Sequence, residues 1–542
     1  AGAEVVLELG GAEATAAALD ANRRFRIAHR MGEGERAEAE CIVRAGGAEL
    51  ARSGRFAVVA RPFALSARAV GDLEAVRAAL DPLPAALRDA DARDLLRAIV
   101  ELQPAERGEI EAALAQLAAR AAAARSRPAA LAPELPPRSE RSLRVLFVTT
   151  EIPWSGHGGG VSTSNLLRHL GARHELTLLH PVHPGAEGLS EEVRGFVREL
   201  VTAPRGWQPA PSPAPYGVPV ESLRTFSPEL RAAVAAELGS GRYDLANFEF
   251  SAASLYAPPA GARDLLVIHE SRSFALLAES SPRSGSELDL AAWTARLLAA
   301  LTFETVELPG RFRDLATLTA PEARCLAAFL PGHRLHVNPI AIDVESLAAR
   351  SAAAAAPERP TFVYVGNFRH PPNRDAAGVL VDEVAPLLLR RSPGARIVIA
   401  GDRAPAELVE SARRARVEHL GWVEDLPRLL GGATAFLAPI RTGAGMRVKH
   451  LEAMACGCPI VTTALGMSGI AAADGREYLQ AESAEELVDG ALRLAGDAAL
   501  RARLASSARE LVARDHAPAV QGERRERIWA AVLGAAASRD AG

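Results

Sequence analysis

Residues 439–463 read PIRTGAGMRVKHLEAMACGCPIVTT. The order of residue types predicts a strand, a glycine-rich loop, a helix, a glycine and a second strand, which is the repeating unit of an open parallel sheet. Gly443 and Gly445 let backbone N–H groups approach an anion at the N-terminus of the following helix, where the helix dipole adds a favourable potential. The segment therefore predicts an anion site beside a parallel strand.

Lys449 and Glu452 are three residues apart and share one face of that helix. The face offers a cation for phosphate and a carboxylate that can accept from two vicinal hydroxyls, so it suits a nucleoside diphosphate with Glu452 on the ribose. Of the 62 basic residues in the chain 61 are arginines, and Lys449 is the single lysine. Because an ammonium and a guanidinium are not interchangeable, its retention indicates a role that arginine does not fill. The alternative is a surface ion pair worth about a few tenths of a kcal/mol.

Strand-like apolar runs alternate with helical segments on both sides of this stretch. Residues 143–150 (LRVLFVTT) are typical of a strand buried on both faces of a parallel sheet, and a second series begins at residues 360–366 (PTFVYVG). Helical runs are predicted at residues 109–124, 288–307 and 483–515. The alternation predicts an α/β protein with two tandem Rossmann-like domains and a cleft between them.

The length of 542 residues predicts two or three domains. Residues 1–127 are expected to form an N-terminal extension of unknown role, either α/β or mostly helical. The proline-rich residues 128–141 predict a semi-extended linker. Residues 142–348 and 358–515 predict the two Rossmann-like domains, and a last helix at 520–537 is expected to pack back on the first of them.

The composition excludes several classes of protein. A net charge of −4 and an isoelectric point near 6.4 argue against a dedicated nucleic-acid binder. The four cysteines are too few and too scattered for a disulfide framework, and none forms a CxxC pair. No apolar run approaches the roughly 20 residues of a membrane span. The first residues, AGAEVVLELGG, lack both a methionine and a leader, so we expect a trimmed or partial chain from a cytoplasmic protein.

Residues 443–463 (GAGMRVKHLEAMACGCPIVTT) resemble the donor-site signature of family 4 retaining glycosyltransferases, which have the GT-B fold. The resemblance covers about residues 142–535. Further segments resemble motifs of the family at the expected places: VIHE (267–270), NPIAID (338–343), VGNFRHPPNRDA (365–376), IAGD (399–402) and GWVEDL (421–426). One position departs from the pattern. Many family members carry a glutamate eight residues before the equivalent of Glu452, whereas this chain has Ala444, so that contact to the sugar hydroxyls is missing.

The resemblance implies transfer of a sugar from a nucleotide-sugar donor with retention of anomeric configuration. Breaking the anomeric bond leaves an oxocarbenium-like sugar and a diphosphate, whose charge side-chain cations can stabilise. No Asp-x-Asp pair occurs near the site, so we expect neither a metal nor a cofactor. We assign catalytic contacts to Arg369, Lys449 and His269. The expected donor-binding residues are Glu452, Gly443, Ala444, Gly445, Arg447, Glu424, Val423 and Asn367. A glycine loop of Gly158, Gly159 and Gly160 is expected near the diphosphate or the acceptor.

The expected partners are a UDP- or GDP-sugar and an acceptor that the sequence does not identify. The proline-rich loop 203–228 is expected to help select that acceptor. Nucleic acid is not expected, and peripheral contact with a membrane is left open. Two alternatives also stay open: a non-catalytic nucleotide-sugar-binding or scaffold protein derived from a glycosyltransferase, and a nucleotide-sugar epimerase of similar architecture. The presence of Arg369, Lys449 and Glu452 argues against the scaffold, and the signature at 439–463 argues against the epimerase.

Overall fold

The three-dimensional structure is a computed structural model. It describes residues 3–9, 12–18, 36–45, 48–52, 56–59, 134–153, 158–182, 191–204, 226–258, 263–273, 275, 300, 303–304, 308–330 and 333–540. The predicted helix 109–124 and most of the predicted helix 288–307 lie outside these residues, as does the centre of the loop 203–228. One antiparallel and two parallel sheets lie in the described part.

The antiparallel sheet belongs to the N-terminal extension. Its strands are β1 (Ala3–Leu9), β2 (Ala12–Ala18), β3 (Arg36–Ala45), β4 (Ala48–Arg52) and β5 (Phe56–Val59). The order is β2-β1-β3-β4, and β5 also pairs with β3. The register places Val5 opposite Val43 and Leu7 opposite Cys41 in the pair β1–β3. The described part of the extension is therefore antiparallel β-structure.

The first parallel sheet has seven strands in the order β12-β11-β10-β9-β6-β7-β8. Its strands are β6 (Arg144–Thr149), β7 (Glu175–Val182), β8 (Glu199–Pro204), β9 (Leu245–Glu249), β10 (Asp264–Ile268), β11 (Asp314–Thr317) and β12 (Arg334–Val337). The accompanying helices are α1 (Gly158–Gly171), α2 (Glu191–Arg194), α3 (Pro228–Gly239), α4 (Leu308–Arg311) and α5 (Ala320–Phe329). Numbered along the chain from β6, this is the doubly wound order 3-2-1-4-5-6 with one added strand.

Both faces of this sheet are covered, which is why β6 is almost continuously apolar. Val145 and Phe147 belong to a buried cluster with Leu167, whereas Leu146 and Val148 belong to a second cluster with Leu230. Because successive side chains of a strand point to opposite faces, the two clusters lie on opposite sides of the sheet. The predicted double burial of this strand is confirmed.

The second parallel sheet has six strands in the order β15-β14-β13-β16-β17-β18, which is again the Rossmann order. Its strands are β13 (Thr361–Val365), β14 (Arg396–Ala400), β15 (Glu418–His419), β16 (Ala435–Ala438), β17 (Ile460–Thr462) and β18 (Leu479–Gln480). The helices from the end of the first sheet onward are α6 (Val344–Ser351), α7 (Pro371–Val379), α8 (Ala385–Arg391), α9 (Ala406–Arg414), α10 (Leu426–Gly431), α11 (Val448–Ala455), α12 (Ala484–Gly496) and α13 (Ala498–His516). The prediction of two tandem Rossmann-like domains is confirmed.

A last helix, α14 (Pro518–Asp540), returns from the second sheet to the first. Its Trp529 is fully buried, and the indole Nε1 donates to Asn247 Oδ1 at 3.0 Å. Asn247 lies on β9, in the middle of the first sheet. The end of the chain therefore packs against the domain of the first parallel sheet, which we call the N-terminal domain.

The carboxyl ends of the two sheets face each other. His370, after β13, lies 4.0 Å from Glu270, after β10. The loop after β16 reaches the same strand end, because a Cβ on Gly445 would lie 3.0 Å from the carbonyl oxygen of His269. The ligand-binding edges of the two Rossmann-like domains thus meet along one seam.

A substitution at Gly401, which directly follows β14, tests the packing of the second sheet. Its φ is +140°, and a Cβ there would overlap the carbonyl oxygen of Gly366. We expect Gly401→Ala to destabilise the domain by on the order of 3 kcal/mol, because it adds both backbone strain and an overlap with a fixed backbone atom. Scanning calorimetry should show a lower melting temperature.

Gly378→Ala is the matched control, because Gly378 lies in helix α7 and, among the described residues, no atom beyond its own helix backbone and its chain neighbours lies within 4 Å of the added Cβ. This variant should be more stable by about 0.5–1 kcal/mol, as alanine replaces glycine in a helix. Equal melting temperatures for Gly401→Ala and the wild type would contradict the described packing of β13 against β14.

Candidate functional site

A crevice opens at the switch point of the second sheet, between β13 and β16. The connections after these two strands run in opposite directions, so the loops that follow them separate at the carboxyl edge. The loop after β13 is residues 366–370 and the loop after β16 is residues 439–447. Helices α7 and α11 continue from these loops. Their first turns carry the side chains that face the crevice.

Gly443 and Gly445 lie in the loop that precedes helix α11. Helix α11 begins at Val448 with Arg447 as its N-cap, whereas Gly443 and Gly445 lie upstream with φ of +92° and +73°. Two positive φ values cannot be part of an α-helix. The predicted glycine-rich loop before the helix is therefore confirmed, and the helix begins three residues after Gly445.

The same loop forms the contact between the domains. At Gly445 a side chain would press on the backbone of His269, and the left-handed φ adds strain for any other residue. Ala444 is buried and belongs to the apolar cluster that includes Phe248 and Ile268 of the N-terminal domain. Position 444 is thus packed against the opposite domain, where a longer acidic side chain would have to be buried.

Arg447 holds this loop in shape. Its guanidinium donates to the carbonyl oxygens of Ala444, of Gly445 at 2.7 Å and of Thr442 at 3.4 Å. Arg447 is 9% exposed, so these bonds are shielded from water. Burial lowers the pKa of Arg447 from its usual value, although Glu270 and Glu322 partly oppose that shift. Arg447, which is predicted to bind the donor, thus binds the loop of residues 439–447.

Lys449 lies in the first turn of α11, at the wall of the crevice. Its Nζ donates to Tyr364 Oη at 3.1 Å and to Asn373 Oδ1, and it lies 4.8 Å from the centroid of the Tyr364 ring. Burial and the neighbouring Arg447 guanidinium lower the pKa of Lys449 to about 7. Two neutral oxygen atoms therefore hold the ammonium, and no salt bridge to it is present among the described residues.

Glu452 occupies the same helix face one turn later. Burial raises its pKa to about 7, against the opposing attraction of Lys449. Within the described part of the chain, its carboxylate forms neither a hydrogen bond nor a salt bridge, and the surface ion pair with Lys449 is not formed. A half-buried carboxylate without a protein partner can still accept hydrogen bonds from a ligand.

The loop after β13 forms the opposite wall. Phe368 is fully buried and anchors the loop, and its N–H donates to the Asp402 carbonyl at 3.0 Å. Asn373 Nδ2 donates to the Asn367 carbonyl at 2.9 Å, so Asn373 connects this loop to Lys449. Arg369 is exposed, and its backbone N–H is bound by Asn367 Oδ1 at 3.0 Å. Its guanidinium forms no hydrogen bond or salt bridge with another described residue.

Val423 and Glu424 lie in the loop between β15 and α10. Glu424 is exposed, and Trp422 beside it is 59% exposed. This loop is held to the neighbouring strand end because the Gly401 N–H donates to the Gly421 carbonyl at 2.7 Å. The structure places Val423 and Glu424 at the rim of the domain, without a hydrogen bond to Lys449 or Glu452 in the described residues.

His269 belongs to the N-terminal domain, and its backbone meets the loop after β16 at the seam. It follows β10, and its Nε2 lies 2.6 Å from Glu249 Oε2 at the end of β9. Its ring stacks on Phe250, with 3.8 Å between the centroids. Phe250 has a φ of +71°, which is a strained conformation for a bulky residue. The imidazole is thus fixed by one hydrogen bond and one ring contact.

The predicted glycine loop is only partly a loop. Gly158, Gly159 and Gly160 lie in the first turn of α1, after the carboxyl end of β6. The Thr163 hydroxyl donates to the Gly159 carbonyl at 3.0 Å, as expected for a helical turn. The expectation of a loop at 158–160 is therefore wrong, while the position at the carboxyl edge of the sheet fits the doubly wound order.

Sequence reasoning missed four residues that hold the predicted ones. Tyr364 and Asn373 bind Lys449, while Glu249 and Arg525 lie behind His269. The scarcity of asparagine, with six in the whole chain, was a signal for Asn373. No signal in the sequence pairs Arg525 with Glu249, since they are 276 positions apart.

The described residues contain no group of three or more histidine, cysteine, aspartate or glutamate side chains that could hold a metal ion. Within the same residues, no helix is both long enough and apolar enough to cross a membrane.

Residues 359–497 match the family model described as Glycosyl transferases group 1. This range contains Arg369, Lys449 and Glu452. An uncharacterized 44.6 kDa protein in the cps region of Klebsiella pneumoniae is 25% identical over 126 residues, which are 22% of this chain and 32% of that protein. The chain thus matches about a third of the length of this curated relative.

Several solved structures share the architecture of the two parallel sheets. Anabaena Alr3699/HepE, solved in complex with UDP, has 15% identity and a TM-score of 0.51, with 72% of this chain and 100% of that chain covered. Sucrose-phosphate synthase from Thermosynechococcus elongatus has 16% identity and a TM-score of 0.54 over 72% and 100% of the two chains. The E. coli trehalose-6-phosphate structure bound with UDP-2-fluoro glucose has 12% identity and a TM-score of 0.50 over 72% and 99%.

At these identities the structural likeness shows the fold, and the predicted GT-B architecture is confirmed. Residues 359–497, which include most of the second Rossmann-like domain, are thus similar to group 1 glycosyl transferases. The class of enzyme that this match supports is a glycosyltransferase.

The raised pKa of Glu452 gives a test of the site in the absence of ligand. Because the folded-state pKa is about 7, against an ordinary value of 4.5, the protonated carboxyl stabilises the fold. That stabilisation is complete below the unfolded pKa and is lost as the pH rises through about 7. Glu452→Gln cannot ionise, so its melting temperature should exceed that of the wild type increasingly between about pH 5 and about pH 8. After allowance for solvent screening, the difference is on the order of 1–2 kcal/mol.

Glu424→Gln is the control, because that carboxylate is exposed. This variant gives the baseline for an exposed Glu→Gln exchange, with which the Glu452→Gln difference is compared at each pH. A Glu452→Gln difference that does not change with pH would mean that Glu452 is hydrated and does not face a desolvated crevice.

Proposed function

We propose that this protein is a glycosyltransferase that moves a sugar from a nucleoside diphosphate sugar to an acceptor, with retention of anomeric configuration and without a bound metal. The observation that carries the proposal is the pair Lys449 and Glu452, a cation and a carboxylate that share one helix face at a Rossmann crevice without pairing with each other. The group 1 family model over this domain supports it. So do neighbours of the same fold that hold UDP or UDP-2-fluoro glucose.

The chemical demand on the site is stabilisation of the departing diphosphate. Lys449 supplies a cation in a desolvated position, where its interaction with developing charge is stronger than in water. A diphosphate beside it would raise its pKa, so we expect Lys449 to take up a proton when the donor binds. Arg369, whose guanidinium has no partner among the described residues, is the second cation that can reach a phosphate.

Glu452 is suited to the ribose. A carboxylate that accepts from two vicinal hydroxyls gains two charge-assisted hydrogen bonds, which favour its ionised form. The uracil or guanine would then lie toward Val423 and Glu424, at the rim of the same domain. We favour a UDP-sugar because the neighbouring structures hold uridine nucleotides, with a GDP-sugar as the alternative.

The N-terminal domain would supply the sugar and acceptor contacts. We assign His269 to the sugar or the acceptor, because it lies across the seam from the loop that contains Gly445. In the absence of a metal, the charge of the leaving group would be balanced by Lys449 and Arg369.

Nucleotide binding in the presence of EDTA tests the proposal. We expect the melting temperature to rise with UDP, and less or not at all with GDP and ADP, because a ligand of the folded state stabilises it by mass action, by about 2.7 kcal/mol at 100 times its Kd. The measurement is a thermal-shift titration confirmed by calorimetry. A response to GDP alone would change the donor base. No response to any nucleotide would favour the non-catalytic scaffold.

Lys449→Arg is the sharpest variant for the same titration. A planar guanidinium cannot reproduce the compact ammonium between Tyr364 and Asn373, so we expect UDP affinity to fall by at least about tenfold. Arg414→Ala, on an exposed face of α9, is the control and should bind as the wild type does. Unchanged affinity in Lys449→Arg would remove the ammonium from the donor site.

Retention can be read from the first product. With UDP-glucose as the donor and water as a slow acceptor, the released glucose should appear as the α anomer before mutarotation mixes the two forms. One-dimensional ¹H NMR of the anomeric protons, recorded during turnover, measures this directly. Initial release of the β anomer would make the enzyme inverting and would leave the donor assignment intact.

A further inference from the structure

Helix α14 carries two adjacent buried charges that lead to different parts of the N-terminal domain. Arg525 and Glu526 are 2% and 1% exposed. Glu526 pairs with His174 at 2.9 Å and with Arg173 at 3.2 Å, away from the seam between the domains. Arg525 pairs with Glu249, whose other oxygen lies against His269. Glu526 therefore holds the side of the N-terminal domain that lies away from the seam, whereas Arg525 reaches the candidate site.

The donors of Arg525 are bound in fixed positions. Its Nε donates to Asn338 Oδ1 at 2.5 Å, and its Nη1 donates to Asn247 Oδ1 at 3.0 Å and to Glu249 Oε1. Asn338 is held in turn, because its Nδ2 donates to Gln521 Oε1 at 2.9 Å. A guanidinium with planar, directional donors can be locked in this way, whereas a lysine cannot.

The carboxylate of Glu249 is oriented by the same contacts. Its Oε1 accepts from Arg525 and from Asn247 Nδ2 at 3.0 Å, which leaves Oε2 directed at His269. Burial alone would raise the pKa of Glu249, but Arg525 and His269 outweigh it and lower the pKa to about 2. The carboxylate is thus ionised and able only to accept.

The ionised carboxylate fixes the chemistry of the imidazole. Since Oε2 cannot donate, the hydrogen in the 2.6 Å contact must be on Nε2 of His269. Neutral His269 therefore carries its lone pair on Nδ1, and among the described residues Nδ1 has no hydrogen-bond partner. The stacking on Phe250 restricts rotation of the ring. Both the tautomer and the ring plane are set before any ligand arrives.

We propose that Arg525, acting through Glu249, is a positioning residue that fixes the Nε2–H tautomer and the orientation of His269 at the seam between the domains. The inference rests on the proposed function only for the contact that Nδ1 makes with the sugar or acceptor. The positioning itself is a property of the unliganded protein. It connects the docking of the last helix with the geometry of the site.

The test separates positioning from simple helix docking. The variants are Arg525→Gln, Arg525→Lys, His269→Gln and the double variant Arg525→Gln/His269→Gln, with Glu526→Gln as the matched control on the same helix. Histidine-selective ¹⁵N NMR reports the tautomer, and the His269 signals are assigned by their loss in His269→Gln. Turnover is followed as UDP released from UDP-glucose.

We expect Arg525→Gln to shift the ¹⁵N signals of His269 away from the Nε2–H tautomer and to lower kcat by about 100-fold with KM little changed, as for a misplaced catalytic group. Arg525→Lys should restore part of kcat. Glu526→Gln should lower the melting temperature and leave both the His269 signals and kcat unchanged. In the double variant, Arg525→Gln should add no loss to that of His269→Gln.

Unchanged His269 signals in a folded Arg525→Gln protein would overturn the proposal. So would additive losses in the double variant, or an equal effect of Glu526→Gln on the tautomer. If the wild type releases no UDP, the proposed function fails on this donor, and the NMR comparison by itself decides the positioning. Shifted His269 signals with unchanged kcat would keep the positioning and remove His269 from the reaction.

Discussion

The docking of helix α14 on the N-terminal domain depends on buried charge pairs that tolerate little displacement. Arg525 pairs with the buried Glu249, and Glu526 pairs with Arg173. Removing one partner of such a pair leaves a buried charge without compensation, at a cost of several kcal/mol. The helix is thereby held in one register, with Trp529 bound to Asn247 on β9. Because α14 follows the second domain in the chain, this docking also limits how far the two domains can separate.

The seam between the domains follows from that restraint. The carboxyl ends of the sheets approach so closely that the Gly445 loop meets the backbone of His269. A ligand held in the second domain would therefore contact groups of the first without a long movement. Lys449 and Glu452 lie at this meeting point with shifted pKa values of about 7, and both shifts are caused first by burial. Burial thus moves both groups toward their neutral forms near pH 7.

Much of this could be predicted from the sequence, because parallel strands buried on both faces have a strong pattern. The run at residues 143–150 and the order of residues 439–463 predicted two doubly wound domains, and Lys449 stood out as the single lysine. The helix boundary at Val448 could not be predicted, since it depends on the positive φ of two glycines and on the N-terminal domain beside them. Contacts between residues that are far apart in the sequence could not be predicted either. The sequence pattern around Glu249 is that of an ordinary strand end, and its partner Arg525 appears only when the last helix folds back.

Arg447 has a consequence beyond the shape of the loop that it binds. The N–H of a peptide group points opposite to its C=O, so drawing the carbonyls of Thr442, Ala444 and Gly445 toward the guanidinium turns the following amides the other way. Among the described residues no intramolecular hydrogen bond from the N–H groups of Gly443, Gly445 or Met446 is present. These amides form a set of dipoles whose orientation is fixed by the fold. For the proposed diphosphate, the free energy of orienting these dipoles would already be supplied during folding, by a cation that need not touch the ligand.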